Sequence, residues 1–319
     1  MRRLVLLFAA LAVSACDRVP KLGAVWNRLH PARVEVAAAP PAPIAAPAPA
    51  TAPKPPATDG ILRVEVTLHG PLERELAAQV GPETAPALAL VMQRLTLWWM
   101  DRNDERPGDR ISALYELPAG HEPVVHALRY TSQKLGKTFA AYEFQAKGAP
   151  FPRYYTADGV ELEERLRNSP VAEYEQVTSF LKDGRHHHGI DFKCPVGTPV
   201  RMPFDGTLVR KNWNWRGNGN CLELVDAKTG RHAKFLHLSP LPASLKPGMH
   251  FKAGQQVALS GNTGHTTAPH LHYQLESPAN AILDPFAVQQ TYREQLPAAE
   301  LPAFQAAAHK LEARLTTAH

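Results

Sequence analysis

The sequence predicts an α+β protein whose second half is mainly antiparallel β structure and whose first half is a smaller mixed α/β domain. Residues 171–290 consist of short β-prone runs separated by Gly and Pro turns, and helical periodicity is scarce there. Residues 60–170 combine alternating apolar segments with a segment of helical spacing. A chain of 319 residues is long enough for two such domains.

The beginning of the chain predicts export. Residues 1–15 have a positively charged start and a short apolar stretch, which is typical of a signal peptide. Val13-Ser-Ala-Cys16 resembles a bacterial lipobox, which implies a lipid on Cys16 and attachment to a membrane. A plain secretory signal with a chance cysteine is the alternative. Residues 16–59 are interpreted as a tether, because Val36 to Gly60 is almost entirely Ala and Pro.

The predicted first domain, residues 60–170, contains a helix and several strands. Leu88, Val91, Leu95 and Trp98 recur at helical spacing within Pro86 to Trp98. The predicted strands are Ile61 to Leu68, Arg110 to Leu117, Val124 to Leu135 and Lys137 to Phe144, with a hairpin at Gly136. His121 and His126 are interpreted as structural or surface residues, because no catalytic constellation accompanies them.

Residues 291–319 predict a C-terminal helical tail. Its apolar side chains are spaced for one face of an amphipathic helix, and Pro302 is tolerated in the first turn. The face comprises Phe304, Ala308, Leu311 and Leu315. We expect this helix to pack on the body of the protein or to be weakly ordered.

The formal net charge of +5 indicates affinity for anionic surroundings such as cell-wall polymers and membranes. Nucleic acid is not expected as a partner, because the chain has no Lys/Arg run interleaved with aromatics and no zinc-finger spacing. Apart from Cys16 there are two cysteines, Cys194 and Cys221. In an oxidising compartment they form either one disulfide or two buried, inert thiols.

Histidines recur in three short apolar segments of the second half. In Gly184-Arg-His-His-His-Gly-Ile-Asp191, strand alternation places His187, Gly189 and Asp191 on one face, and Gly189 leaves a gap there for a metal. In Ala268-Pro-His-Leu-His-Tyr-Gln-Leu275, alternation predicts a half-buried strand with His270, His272 and Gln274 on its polar face. A third segment carries His237. Two neutral imidazoles and one carboxylate form a catalytic zinc shell with one position left for water.

Residues Thr178 to Pro285 resemble the lysostaphin/LytM-type zinc metallopeptidases. The resemblance lies in His187-x-x-x-Asp191, His237 in a Leu-His-Leu-Ser context, Pro269-His-Leu-His272 and Gly261-Asn-Thr-Gly-His-Thr-Thr-Ala-Pro269. It implies one Zn²⁺ per chain held by His187, Asp191 and His272, with His237 and His270 as unligated catalytic histidines. Which of the two is the base stays open.

The same resemblance implies an endopeptidase that hydrolyses peptide cross-links of peptidoglycan. Its partners would be peptidoglycan peptide stems and, through Cys16, a membrane; a monomer on the periplasmic side of the cell envelope is expected. The first domain resembles the accessory domain of Gram-negative murein endopeptidases, which binds wall material or covers the active site. The alternatives are a catalytically inactive wall-binding protein or amidase activator, and a zinc hydrolase of another peptide.

Two tryptophans lie in the Asn-rich loop from Lys211 to Asn220. Trp213 and Trp215 either line the substrate groove, where they stack on sugar or peptide, or cap the β core. The sequence does not separate these alternatives.

Overall fold

The structure is a computed structural model that describes residues 60–181 and 187–317. The predicted signal peptide, Cys16, the tether and His186 lie outside these ranges. Within the described ranges, no helix is both long enough and apolar enough to cross a membrane.

Five antiparallel strands, adjacent in chain order, form the first sheet. They are β1 (Leu62–Thr67), β2 (Arg110–Glu116), β3 (Val124–Ser132), β4 (Lys137–Phe144) and β5 (Arg153–Tyr155). Helices α1 (Leu72–Val80) and α2 (Ala85–Thr96) and a 3₁₀ turn at Arg102–Asp104 connect β1 to β2. The four predicted strands and helix α2 are confirmed. The sequence prediction misses α1, because only Leu72 and Leu76 of its nine residues are buried and its apolar stripe is narrow.

Trp98 lies just beyond the end of α2, where the prediction places it inside the helix. Its ring makes edge-on contacts with Phe180 and Phe286, at centroid distances of 4.9 and 5.2 Å. Both partners pack against the hydrophobic cluster of the second half of the chain. Trp98 therefore joins that cluster to the one beneath the first sheet.

The second half of the chain is mainly antiparallel β structure, as predicted. Its strands are β6 (Arg165–Leu166), β7 (Gln176–Ser179), β8 (Ile190–Lys193), β9 (Pro199–Arg201), β10 (Gly206–Lys211), β11 (Asn220–Asp226), β12 (His232–Leu238), β13 (His250–Phe251), β14 (Gln256–Leu259), β15 (His270–Glu276), β16 (Ile282–Leu283) and β17 (Thr291–Tyr292). Two short helices, α3 (Trp215–Asn218) and α4 (Pro285–Val288), interrupt them. The main sheet has the order β13-β10-β11-β12-β15-β8-β7, with β16 paired to β15.

The last helix, α5 (Leu301–Thr316), returns to the first sheet. Its buried residues Phe304, Ala308 and Leu315 pack with residues of β2 to β5, and Leu311 is partly buried in the same cluster. Glu312 accepts hydrogen bonds from Tyr142 and Arg129 at the edge of this contact. The predicted apolar face is therefore confirmed, and the helix packs on the body of the protein.

Cys194 and Cys221 are free thiols, and both are buried. Of the two alternatives left by the sequence, the structure shows the pair of buried thiols. Burial raises the pKa of both thiols, which keeps them in the unreactive protonated form at neutral pH.

His126 of β3 lies between two carboxylates of the first sheet. Its Nδ1 lies 2.7 Å from Glu143 of β4, and its Nε2 lies 3.6 Å from Glu116 of β2. Burial works to lower the pKa of His126, but the two carboxylates outweigh burial and the pKa is raised. The sequence interpretation of His126 as structural agrees with this placement.

We expect the proton on His126 to stabilise the fold. Because the folded-state pKa is raised, this stabilisation is complete below the unfolded value of about 6.5 and is lost as pH rises through the folded value. The difference in free energy of unfolding between wild type and His126→Gln should therefore shrink from pH 6 to pH 9, measured by urea titration. His309→Gln, on the exposed side of α5, is the control and should show no such trend. A constant difference for His126→Gln would contradict the prediction.

Candidate metal centre

Adjacent strands β8 and β15 position three potential metal ligands. The register pairs His272 directly with Asp191, so their side chains share one face of the sheet. His187 comes from the segment immediately before β8. Asp191 Oδ1 lies 2.9 Å from His272 Nδ1 and 3.2 Å from His187 Nε2, and the two imidazole nitrogens are 3.0 Å apart.

These three atoms suit a metal ion. Each is a common ligand of zinc, and separations near 3 Å between them fit metal bonds of about 2 Å. When the two ring nitrogens are unprotonated, each of the three atoms offers a lone pair that a cation placed between them would accept. Among the described residues, His187, Asp191 and His272 form the group that could hold a metal ion.

The Asp191 carboxylate is held in its charged form. Burial works to raise the pKa of Asp191, but hydrogen bonds from His187 and His272 outweigh it and hold the pKa well below its usual range. An ionised carboxylate is the form that binds a cation. The carboxylate of the group is therefore in the form that binds a cation.

Gly189 has a steric role that differs from the predicted one. The sequence predicts that Gly189, which has no side chain, leaves a gap for a metal. In the structure, a Cβ at Gly189 would lie 2.7 Å from His272 Nε2 and 2.6 Å from the carbonyl oxygen of Tyr273. The glycine thus makes room for the His272 ring and the backbone of β15.

We expect Gly189→Ala to displace the His272 ring. The added methyl group overlaps backbone as well as the ring, and overpacking of this kind costs about 1–3 kcal/mol. Metal affinity, measured by competition with a chromogenic chelator, should fall about tenfold or more. The control is Gly254→Ala, at a turn where an added Cβ meets nothing within 4 Å and only backbone strain arises. Unchanged metal affinity in Gly189→Ala would contradict the prediction.

His237 reaches the site through a backbone irregularity in β12. Leu236 pairs with His272, so regular alternation would turn His237 to the opposite face. Instead, β12 has a bulge opposite Cys221, and His237 has φ of 62°. A positive φ at a residue other than glycine is strained and is frequent at functional sites. The bulge brings the His237 ring to a centroid distance of 6.0 Å from that of His272.

The ring of His237 is fixed and neutral. Its Nδ1 donates a hydrogen bond to the carbonyl oxygen of Thr263 at 2.9 Å, which leaves Nε2 as the acceptor nitrogen. Burial lowers the pKa of His237 to about 4, against the opposing effect of the Thr263 carbonyl. Near pH 7 this imidazole is free to accept a proton.

His270 faces His237 across the site. The two ring centroids are 4.7 Å apart. His270 Nδ1 donates to the carbonyl oxygen of Ala268 at 2.8 Å, and its Nε2 lies 3.7 Å from Asp191 Oδ1. All five predicted site residues are therefore brought together.

The profile of peptidase family M23 matches residues 185–285, a range that includes all five of these residues. Over this range the chain is similar to the M23 peptidases. The match covers the β8 to β15 region that builds the metal-binding group and leaves the first sheet outside.

Proteins named as endopeptidases are similar to this part of the chain. Glycyl-glycine endopeptidase ALE-1 of Staphylococcus capitis is 44% identical over 92 residues, which are 29% of this chain and 25% of that protein. Peptidoglycan DD-endopeptidase ShyA of Vibrio cholerae is 30% identical over 195 residues, 56% of this chain and 43% of that protein. A solved zinc-containing peptidase from Vibrio cholerae is 25% identical and aligns over 70% of this chain and 69% of that one, with a TM-score of 0.33. The chain spans less than half of the length of either curated relative.

The role of Thr263 was not predicted from the sequence. Its carbonyl oxygen accepts a hydrogen bond from His237, and its hydroxyl donates to the carbonyl oxygen of Leu238 at 2.8 Å and accepts from the Asn220 amide at 3.0 Å. Thr263 therefore binds both the His237 ring and the Asn220–Leu238 pair that forms one end of the bulge. Thr263 lies in the motif Gly261-Asn-Thr-Gly-His, which carries part of the family resemblance, but the sequence assigned no role to any single residue of that motif.

One expectation about the site changes, and one set of contacts was not expected. The polar face of β15 is buried rather than half-exposed, since His272, Gln274 and Glu276 are all under 10% exposed. Lys193, which pairs with His270 in the register, binds Glu175 at 2.7 Å and lies 3.7 Å from Glu122 of the first half of the chain. No motif in the sequence pointed to these contacts.

Proposed function

We propose that this chain is a zinc-dependent endopeptidase that hydrolyses peptide cross-links of bacterial peptidoglycan. The observation that carries the proposal is the convergence of the His187, Asp191 and His272 ligand atoms beside two unligated histidines. The substrate comes from the relatives, which are named as peptidoglycan DD-endopeptidase and glycyl-glycine endopeptidase. The ShyA match is the longer of the two, so we favour the cross-link of the DD type.

His187, Asp191 and His272 would hold one zinc ion. When bound, zinc supplies a Lewis acid and lowers the pKa of a water molecule to about 7. His187 Nε2, His272 Nδ1 and Asp191 Oδ1 fix its position, and the ionised Asp191 supplies the only negative charge among the three.

His237 is the general base in this proposal. Its Nδ1 proton is fixed by the Thr263 carbonyl, so Nε2 accepts the proton of the attacking water. The pKa of about 4 keeps His237 unprotonated before the reaction, and Nε2 then returns the proton to the leaving amine. His270 lies on the other side of the site. With a proton on each ring nitrogen, it would donate from Nδ1 to the Ala268 carbonyl and from Nε2 to the developing oxyanion.

The division of the chain and its location are part of the same proposal. We infer an accessory domain over residues 60–170, a peptidase domain over 171–290 and a C-terminal tail from 291 whose helix, α5, begins only at Leu301. The lipid on Cys16 and the position on the periplasmic side of the envelope rest on the sequence motifs and on the wall substrate. They account for a tether that lets an anchored enzyme reach the wall.

The test uses purified protein and defined cross-linked muropeptide dimers, with products identified by mass spectrometry. Conversion of dimers to monomers is expected, and the product masses name the bond that is broken. A glycine-bridged dimer in the same panel separates the two bond types. If the zinc-loaded protein cleaves none of these dimers, the proposed function is wrong.

A further inference from the structure

The loop from Asn212 to Gly219 is a rigid element that carries an exposed aromatic side chain. Two hydrogen bonds join Asn212 to Cys221. The backbone N–H of Asn212 donates to the Cys221 carbonyl oxygen at 2.9 Å, and the backbone N–H of Cys221 donates to Asn212 Oδ1 at 3.2 Å. The helical turn α3 closes the loop with a hydrogen bond from the Gly219 amide to the Trp215 carbonyl. The side chain of Trp215 is therefore presented from a fixed backbone.

This loop packs directly on the segment that orients His237. The amide of His265 donates to the carbonyl of Gly217 at 3.0 Å. A Cβ on Gly264 would lie 2.3 Å from the Gly219 nitrogen, and one on Gly219 would lie 2.4 Å from the carbonyl carbon of Thr263. Because Thr263 holds the His237 ring, the loop and the base belong to one wall of the site.

The two tryptophans of the loop have different environments. The Arg210 guanidinium lies 4.1 Å from the ring centroid of Trp213, which is half-buried. Trp215 is 58% exposed, the largest fraction among the exposed large hydrophobic side chains of the described residues. The Trp213 ring is thus covered by Arg210, whereas the Trp215 ring is available to a ligand.

The neighbours of Trp215 indicate the chemistry of that ligand. Asn212, Asn214 and Arg216 are exposed on the same loop and offer amide and guanidinium hydrogen-bonding groups. An indole offers a flat apolar face and one N–H donor. A flat apolar face with such groups on the same loop matches a pyranose ring, which has C–H groups on its faces and hydroxyl groups around its edge. An apolar peptide side chain would instead require an apolar pocket.

We propose that Trp215 binds the glycan strand that carries the cross-linked peptide, by stacking on one of its sugar rings. This inference rests on the proposed function for the identity of the substrate. It makes Trp215 a specificity residue that favours substrates still attached to sugar.

The first test compares Trp215→Ala, Trp215→Phe and wild type on two substrates that share one cross-link, a sugar-bearing muropeptide dimer and the same dimer without sugar. Trp215→Ala should raise KM for the sugar-bearing dimer about tenfold with kcat unchanged, and Trp215→Phe should restore most of the loss. On the sugar-free dimer all three proteins should be equal. Leu135→Ala, an exposed apolar side chain on the β3–β4 hairpin, is the matched control and should behave as wild type.

Equal effects of Trp215→Ala on both dimers, or no effect on either, would overturn the inference. A second measurement does not need activity. The Trp215 indole N–H signal, assigned in ¹⁵N spectra by its loss in Trp215→Phe, should shift on addition of a peptide-free oligomer of N-acetylglucosamine. If wild type cleaves neither dimer, the proposed function fails. The titration still decides whether Trp215 binds sugar, and the absence of a shift would overturn the inference.

Discussion

Asp191→Asn should reduce dimer cleavage on the order of 10³-fold and leave the protein almost free of zinc. Asn has the shape of Asp but lacks the charge that two histidines stabilise at this position. Several kcal/mol of transition-state stabilisation depend on the metal, and each 1.4 kcal/mol corresponds to tenfold in rate. Zinc content is measured by plasma emission spectrometry and cleavage by chromatography of the muropeptides.

The matched control for Asp191→Asn is His188→Ala. His188 adjoins His187 in sequence but is exposed, outside the group of converging ligand atoms. It should keep full zinc content and full activity. Asp191→Asn protein that retains stoichiometric zinc and wild-type activity would contradict the assignment of the site.

His237→Ala should separate metal binding from catalysis. Its Nε2 is proposed to move a proton, so kcat should fall about 10²- to 10⁴-fold while zinc content stays at the wild-type level. KM should change little, because the imidazole is used mainly in the transition state. Zinc analysis and steady-state kinetics on one preparation measure both quantities.

His250→Ala serves as the control for His237→Ala. It removes an exposed imidazole of β13 whose partner is Thr207, and it should alter neither zinc content nor kcat. Loss of zinc together with activity in His237→Ala would mean that His237 is a ligand or supports one. Wild-type kcat would mean that another group accepts the proton.

Strand periodicity predicted only part of the ligand group. Alternation placed His270 and His272 on one face without separating them, and His187 lies before the start of β8. The family resemblance implied the set of His187, Asp191 and His272. The family resemblance supplied the pairing of the two segments. In the structure these segments form the adjacent strands β8 and β15, which are far apart in sequence and pair with His272 opposite Asp191.

The position of His237 was harder to predict, because it violates the same periodicity. A regular β12 would turn this side chain away from His272, and only the bulge and the positive φ bring it back. Propensity and hydrophobic pattern carry no signal for a single strained residue, since its strain is compensated by the long-range hydrogen bond to Thr263.

Packing partners that lie far apart in sequence were also beyond prediction. The apolar face of α5 was evident from the spacing of Phe304 and Leu315, but its docking on the first sheet was not. The reason for Gly189 was misread, because the nearby atoms belong to β15, over eighty residues later. Such contacts depend on topology rather than on local sequence.

The central claim is that a metal ion held by His187, Asp191 and His272 is needed to cleave a wall peptide. The most direct measurement is zinc content and dimer cleavage on the same sample before chelation, after chelation and after addition of one equivalent of zinc. We expect one zinc per chain, loss of cleavage when the zinc is removed, and recovery when it is returned. Full cleavage by protein shown to contain no metal would contradict the account.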